Sequence, residues 1–387
     1  MKKTIFFLLL LLGFILPKAQ EKSKIIRAGL FTAFYLDSAF DTSGEYRQSL
    51  AFPRQAIANL EFYEGAVMAI DSLNQTGKSA ILEVYDISST QGNIEQLLKR
   101  GKFDSLDIMF VHGGPPEYTA LASISKSKNI PLVSASYPND GGIRGSPMVY
   151  IANPKINSHL QIIVNQMISR WEEANIIWFN RSDPGDDRLE DIFRELIKQS
   201  SIAQRPQYIK LGKTFSTEEI SKAIDSTKIN VLLAGSLDNT FAVNFAKAIS
   251  TYEKKGIIQV IGMPNWDGLK ELQSTSYAGI PIYYTSGMSP ATDNKWAIDF
   301  DKKMKEETGI NSSTSALKGF ELTFYFLNIL SKYGTIKIDN PADKPFKVFN
   351  DLDFRAIKWT KETQVPDYFE NKRIYFIRRL NSVESVQ

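Results

Sequence analysis

The sequence has no cysteine and only two histidines, His112 and His159. The first absence rules out disulfides, thiol nucleophiles and thiolate metal sites, so stability has to come from buried apolar surface. The second leaves little material for metal or acid–base chemistry, and neither HExxH, a His and Cys cluster nor a GxSxG nucleophile turn occurs. Gly113-Gly114-Pro115-Pro116 lacks the lysine and glycine spacing of a phosphate loop, and its prolines remove the donors such a loop uses. Asp183, Asp186, Asp187 and Glu190 lack EF-hand spacing and read as a solvated loop running into an acidic first helical turn. No cofactor, metal or catalytic residue is therefore expected, and no enzyme.

Charge of one sign is also lacking. Residues 1–19 read as a secretory leader: Lys2 and Lys3, an unbroken apolar run from Ile5 to Leu16, then Pro17-Lys18-Ala19 before the polar Gln20-Glu21-Lys22. That run is short for a bilayer span, no later run is long enough, and no cysteine follows it to carry a lipid. Removing the leader's three lysines leaves 43 basic residues against 43 acidic ones, so a nucleic-acid partner, which wants a basic field, is not expected. The expected location is the periplasm, free of the membrane after cleavage.

What is present is a repeated alternation of apolar runs and helical spacing. In KFDSLDIMFVHGGPPEYTALASISKSKNIPLVSASYPN, from Lys102 to Asn139, two apolar runs (Leu106 to Val111, Ile130 to Val133) flank a helical segment. That is a βαβ unit, and in open parallel sheets ligands bind beyond the carboxyl ends of the strands. Lys24 to Phe34 and Ala80 to Tyr85 add strands before it, with a helix over Leu60 to Leu73 between them. A second series starts at Asn175 to Phe179 and continues through Tyr208 to Leu211, Asn230 to Ala234, Ile257 to Gly262 and Gly279 to Tyr284, with helices interleaved. Asp293 to Thr308 and Ser315 to Tyr333 then form two successive helices. Val348 to Trp359 and Arg373 to Leu380 look like a final pair of strands. The fold class is α/β, with two Rossmann-like lobes built on parallel sheets.

IIRAGLFTAF, NLEFYEGAVMAIDSLN, the DIMFVHGGPPEYTALASISKSKNIPLVSAS unit, ANIIWFNRSDPGDDRLEDIF and ALKGFELTFYFLNIL, in this order, resemble the type I periplasmic binding proteins, the leucine-type substrate-binding proteins of ABC transporters. The resemblance covers nearly the whole exported chain. It implies lobes joined by a three-strand hinge, with crossovers near Ala152 to Lys155, Thr285 to Pro290 and Gly334 to Asp339. Lobe one would comprise residues 20–152 and 286–334, lobe two 153–285 and 335–387. Ligand features carry over less completely. The family's Gly-Pro-x-Ser-Ser exit is replaced by Gly114-Pro115-Pro116-Glu117-Tyr118, its Ala-Thr or Ser-Thr exit by Ser136-Tyr137-Pro138, and its covering Tyr-Gly by Pro184-Gly185. Asp238 alone stands where an acid often receives an ammonium group.

The strand exits then supply the expected ligand-binding residues: His112, Glu117, Ser134, Ser136 and Tyr137 from lobe one, Arg181, Asp238, Asn239 and Trp266 from lobe two. Serines and helix-start amides suit an anionic group, Glu117 and Asp238 a cationic one. Tyr137 and Trp266 are placed to grip a ligand on closure. Polar residues at such exits also cap helices, and His112 reads first as a hydrogen-bonded residue ending a buried strand. A hydrolase would rest on His112 alone. The expected function is capture of a small polar ligand, an amino acid or related compound, in an inter-lobe cleft for an ABC permease. The alternative is a domain of the same shape without a solute, serving as an envelope or cell-wall interaction or regulatory protein. Expression with the leader attached is expected to yield an exported chain beginning at Gln20, read by N-terminal sequencing; retention of the apolar run would mark it as an anchor.

Overall fold

The computed structural model describes residues 24–47, 53–90, 92–273, 277–289, 294–338, 340–360, 362–381 and 383–387. The leader expected over residues 1–19 lies outside them. Strands β1 (Ile26–Thr32), β2 (Ala80–Asp86), β3 (Ile108–His112), β4 (Leu132–Ser134) and β5 (Val149–Ile151) run parallel in the order β2-β1-β3-β4-β5. Strands β6 (Asn175–Arg181), β7 (Gln207–Leu211), β8 (Asn230–Ala234), β9 (Ile258–Gly262) and β10 (Ile282–Ser286) repeat that order as β7-β6-β8-β9-β10 in a second sheet. Central strands such as β8, NVLLA, are buried along their full length because helices cover both faces of the sheet.

Among the described residues the α-helices are α1 (Leu36–Ala39), α2 (Arg54–Gln75), α3 (Ile94–Lys99), α4 (Pro115–Lys128), α5 (Ile156–Trp171), α6 (Pro184–Ile197), α7 (Thr217–Ser221), α8 (Asn239–Ser250), α9 (Lys295–Thr308) and α10 (Thr314–Tyr333). Short polar side chains start many of them: Asn93, Asp183, Ser216, Asp238, Asn294 and Ser313 each accept a hydrogen bond from a first-turn amide. Each sheet is packed on both faces. In lobe one, Phe62, Phe110, Tyr150 and Phe326 fill one side and Phe31, Phe103, Tyr118 and Leu132 the other. In lobe two, Phe179, Phe245 and Tyr284 oppose Trp178, Phe193 and Met167 across the sheet.

Although α9 and α10 follow β10 of lobe two, both pack into the lobe-one core, through Phe300, Met304, Phe320 and Phe326. Helix α10 is apolar around most of its circumference, which is the pattern of a helix enclosed by other elements. It lies against α2 with the two backbones in contact. A Cβ on Gly65 would stand 1.9 Å from the Ala316 carbonyl oxygen, and one on Gly319 2.1 Å from that of Phe62. Glycine at both positions is what lets the axes approach this closely.

The last strands differ from the sequence expectation. Strand β11 (Phe354–Ile357) pairs antiparallel with β12 (Tyr368–Asn371), and β12 adds in parallel to β5, so both extend the lobe-one sheet. Only β13 (Tyr375–Leu380) and β14 (Val383–Val386) join the second sheet, beside β10. The expected pair, 348–359 with 373–380, does not form, and the stretch Phe354–Asn371 that carries β11 and β12 adds these strands to lobe one rather than lobe two. The third passage between lobes therefore lies at Lys372-Arg373-Ile374, not at Gly334 to Asp339. The cause is aromatic packing: Phe354 is buried against Tyr150, Tyr325 and Phe326, which holds the segment on the α10 side of lobe one. The other passages begin where β5 ends at Ile151 and where β10 ends at Ser286.

Substituting Gly65→Ala or Gly319→Ala is expected to destabilise the fold by roughly 1–3 kcal/mol or more, because backbone rather than a flexible side chain must give way. Gly256→Ala, where a Cβ would meet nothing within 4 Å, should stay within about 0.5 kcal/mol of the parent. Urea midpoints compare the three; equal midpoints would show that the two helices are not in backbone contact.

Candidate ligand site between the lobes

The strand exits of both sheets converge on one gap. A cavity of about 290 Å³ lies there, lined from lobe one and the connections by Pro138, Asn153, Pro154, Thr314 and Lys318, and from lobe two by Leu237, Pro264, Asn265, Asp267 and Thr285. His159, in the first turn of α5, and Ser286 to Met288, where the chain leaves β10, complete the wall. A wider groove of about 680 Å³ continues from it past Ile156 and Leu237 toward Lys155, Gly185, Trp359 and Tyr368.

Most of the exit residues expected to meet a ligand are occupied with local structure. His112 Nδ1 lies 2.6 Å from Asn59 Oδ1, and the ring stacks on Phe62. Glu117 accepts from the Gly114 amide at 3.1 Å, reaching back to the residue that precedes α4. Ser134 donates to the Tyr137 carbonyl, and Ser136 both donates to and accepts from the Gly113 backbone, tying the β3 and β4 exits together. Tyr137 packs on Tyr118 with ring centroids 5.1 Å apart. In lobe two Arg181 pairs with Asp186 at 2.9 Å and with Asp238 at 3.2 Å, while Asp238 also caps α8 through the Phe241 amide. Asp186 is buried, not solvated as its loop composition implies, and it also accepts from Ser236 Oγ. Asn239 accepts from Asn265 Nδ2 at 2.9 Å. Trp266 does not stand at the cleft mouth; it is fully buried in the lobe-two core, over Gly262. None of the nine lines the cavity.

The cavity is instead marked by side chains with unmet hydrogen-bonding capacity. Thr285 Oγ1, His159 Nδ1 and Asn265 Oδ1 are buried and have no partner among the described residues. Buried polar atoms are ordinarily satisfied, so three such atoms around one cavity are a signal in themselves. Lys318, in the second turn of α10, makes no hydrogen bond or ion pair among the described residues. Asp267 accepts from Ser286 Oγ at 2.7 Å, Ser286 Oγ from the Met288 amide at 2.9 Å. Beyond the connection, Ser289 donates to Asn350 Oδ1 at 2.7 Å, and Asn350 Nδ2 to Glu321 at 2.7 Å. A carboxylate from each lobe thus anchors the same passage of chain. Of the lining residues, Pro138 stands in the Ser136-Tyr137-Pro138 exit that the sequence already marked. Lys318 and Glu321 carried a signal, two charges three residues apart in an otherwise apolar, aromatic helix.

Burial sets the ionisation of these groups. It pushes Glu321 up to about 7, although hydrogen bonds from Asn350 and Phe349 and the charge of Lys318 oppose it. It lowers Lys318, which the nearby charges of Asp267 and Glu321 oppose. Burial and then the charge of Lys318 bring His112 down to about 4 and His159 to about 3. Both histidines are neutral at neutral pH, and neither is tuned as a general base. For the histidines the unfolded chain binds the extra protons, so their contribution is present above pH 6.5 and is lost as pH falls toward the folded values. Glu321 acts oppositely: its contribution is complete below its ordinary 4.5 and is lost as pH rises through about 7. Replacing His159→Gln is therefore expected to spare up to about 2 kcal/mol of the stability lost between roughly pH 7.5 and pH 5, measured by urea unfolding at each pH. Equal losses in parent and variant would show that His159 is not held neutral by the fold.

No family model matches this sequence, and no curated protein does either. Solved structures do match. An ABC transporter substrate-binding protein from Desulfitobacterium hafniense, in complex with Leu, is 11% identical at a TM-score of 0.61, covering 94% of this chain and 100% of its own. A branched-chain amino acid ABC transporter periplasmic ligand-binding protein from Burkholderia xenovorans LB400 is 13% identical at 0.60, covering 94% of each. A branched-chain amino acid transporter substrate-binding protein from Streptococcus pneumoniae, in complex with isoleucine, is 16% identical at 0.53, covering 94% and 99%. With sheets of the same strand order facing a common gap and joined by crossing connections, the chain has the type I periplasmic binding protein fold.

Proposed function

We propose that this chain is an exported, non-enzymatic binding protein that captures a small polar solute in the cavity between its lobes and delivers it to an ABC-type importer. The observation that carries this is the set of polar atoms without a partner among the described residues, Thr285 Oγ1, His159 Nδ1 and Asn265 Oδ1, around the same cavity as Lys318, which pairs with none of those residues either. A small ligand enclosed on closure of the lobes would supply what these groups lack. Export rests on the leader, and the importer on the likeness to substrate-binding proteins of such transporters. An amino acid or related compound is the class that those structures suggest.

The same fold without a solute, working as an envelope contact or regulator, draws support from the exits themselves. Arg181 and Asp238 neutralise one another, and Glu117 and Asp238 serve as caps. Those contacts leave the strand-exit loops with little to offer a ligand. The cavity nearer the connections is built differently, and it favours the solute.

A thermal-shift screen across amino acids, organic acids, sugars and polyols is expected to give saturable stabilisation by at least one compound, with compaction of the protein in solution scattering. No stabilisation across the panel, together with an envelope partner retained by a Thr285→Val variant, would sink the solute reading.

A further inference from the structure

We infer that the ligand of this cavity is a small carboxylate with an apolar body, and that Lys318 is the receptor for its acidic group. This assignment presupposes that the cavity takes a solute at all. Lys318 brings a charged donor group with no acceptor in contact among the described residues. Two acids lie within electrostatic reach, yet neither satisfies it. Glu321 is taken up by the Phe349 and Asn350 amides and by Asn350 Nδ2, and Asp267 accepts from Ser286. Lys318 is half-buried, so its ammonium has lost part of its water without gaining a contact partner among the described residues, and a carboxylate arriving there makes charge-assisted hydrogen bonds.

Two further observations point to the same sign of charge. Thr314 and Lys318 belong to the first turns of α10, a 20-residue helix whose N-terminal end meets the cavity, and that end favours an anion. Facing it are Thr285, fully buried, and His159, 5% exposed, with Oγ1 and Nδ1 unpartnered. The threonine hydroxyl can donate to a carboxylate, and so can the imidazole in its Nδ1–H tautomer. Ile156, Leu237 and Met288 supply the apolar remainder of the wall. At roughly 30 Å³ for each water of the liquid, the cavity of about 290 Å³ suits a short acid.

The test uses calorimetric titration of the full mature chain with short branched and unbranched monocarboxylates, each matched by its own amide, and with the corresponding α-amino acids. Acids, with or without the amino group, are expected to bind, and the amides to bind at least about tenfold more weakly. Lys318→Met should lose about tenfold or more for the acids. Lys318→Arg should retain most of the affinity, and Thr285→Val should weaken it several-fold. Amides binding as tightly as acids, or Lys318→Met binding unchanged, would overturn the assignment while leaving solute capture intact. So would binding of a neutral sugar or polyol from the wider panel with no acid binding. Failure of every compound to bind would overturn both. Urea midpoints near the parent's for Lys318→Met and Thr285→Val separate lost affinity from lost folding.

Discussion

The architecture depends on the contact between α2 and α10. Helix α10 arrives from lobe two, after β10, and has to find its place in a lobe that is otherwise built from the first part of the chain. The backbones meet at Gly65 and Gly319, where even a methyl group would strike a carbonyl oxygen. Close approach also brings the aromatic residues of α10 down onto Phe62, Phe110 and Tyr150, so a large apolar area leaves water together with the glycine contact. Once α10 is seated, its N-terminal turns can lie only at the mouth of the gap. Thr314 and Lys318 are therefore presented to lobe two as a consequence of packing twenty residues of helix elsewhere.

Polar groups in the gap fall into two kinds. Those on the exit loops, Arg181, Asp186, Asp238, Glu117 and Ser136, are satisfied by one another or by helix starts, and they stiffen the loops. Those near the connections, the Lys318 ammonium, His159 Nδ1, Thr285 Oγ1 and Asn265 Oδ1, have no hydrogen-bond partner among the described residues. A fold tolerates unmet buried groups where something else is to meet them or where their cost is small against the whole core. The carboxyls of Asp267 and Glu321 stand at either end of the hydrogen bonds that hold the Ser286 to Ser289 connection, one in each lobe. Lys318 therefore stands beside a segment that links the two lobes.

Much of the fold was legible because buried parallel strands are short unbroken apolar runs, and IMFVH, NIIWF and NVLLA announce themselves without reference to neighbours. The tail was not, because FRAI and YFEN are short and mixed in polarity. Whether they add to one sheet or the other turns on which aromatic cluster Phe354 joins. Site residues were harder still. Trp266 follows a strand exit in sequence, but Gly262 opens a space in the core that its indole fills. Glu117 and Asp238 sit where an acid can either cap a helix or meet a ligand, and only geometry separates the two.

From the sequence by itself follow the α/β alternation, the presence of two similar halves and the absence of thiol chemistry, since each depends on local periodicity or on composition. Only the tertiary structure decided which side chains face the gap. That choice is made by helix docking between residues some 250 positions apart, such as Gly65 with Ala316 and Ser313 with Glu61, and a contact of that range leaves no trace in local spacing. A lysine in an apolar helix reads as an oddity in the chain; its meaning depends on which lobe the helix leans against and on what stands across from its first turns.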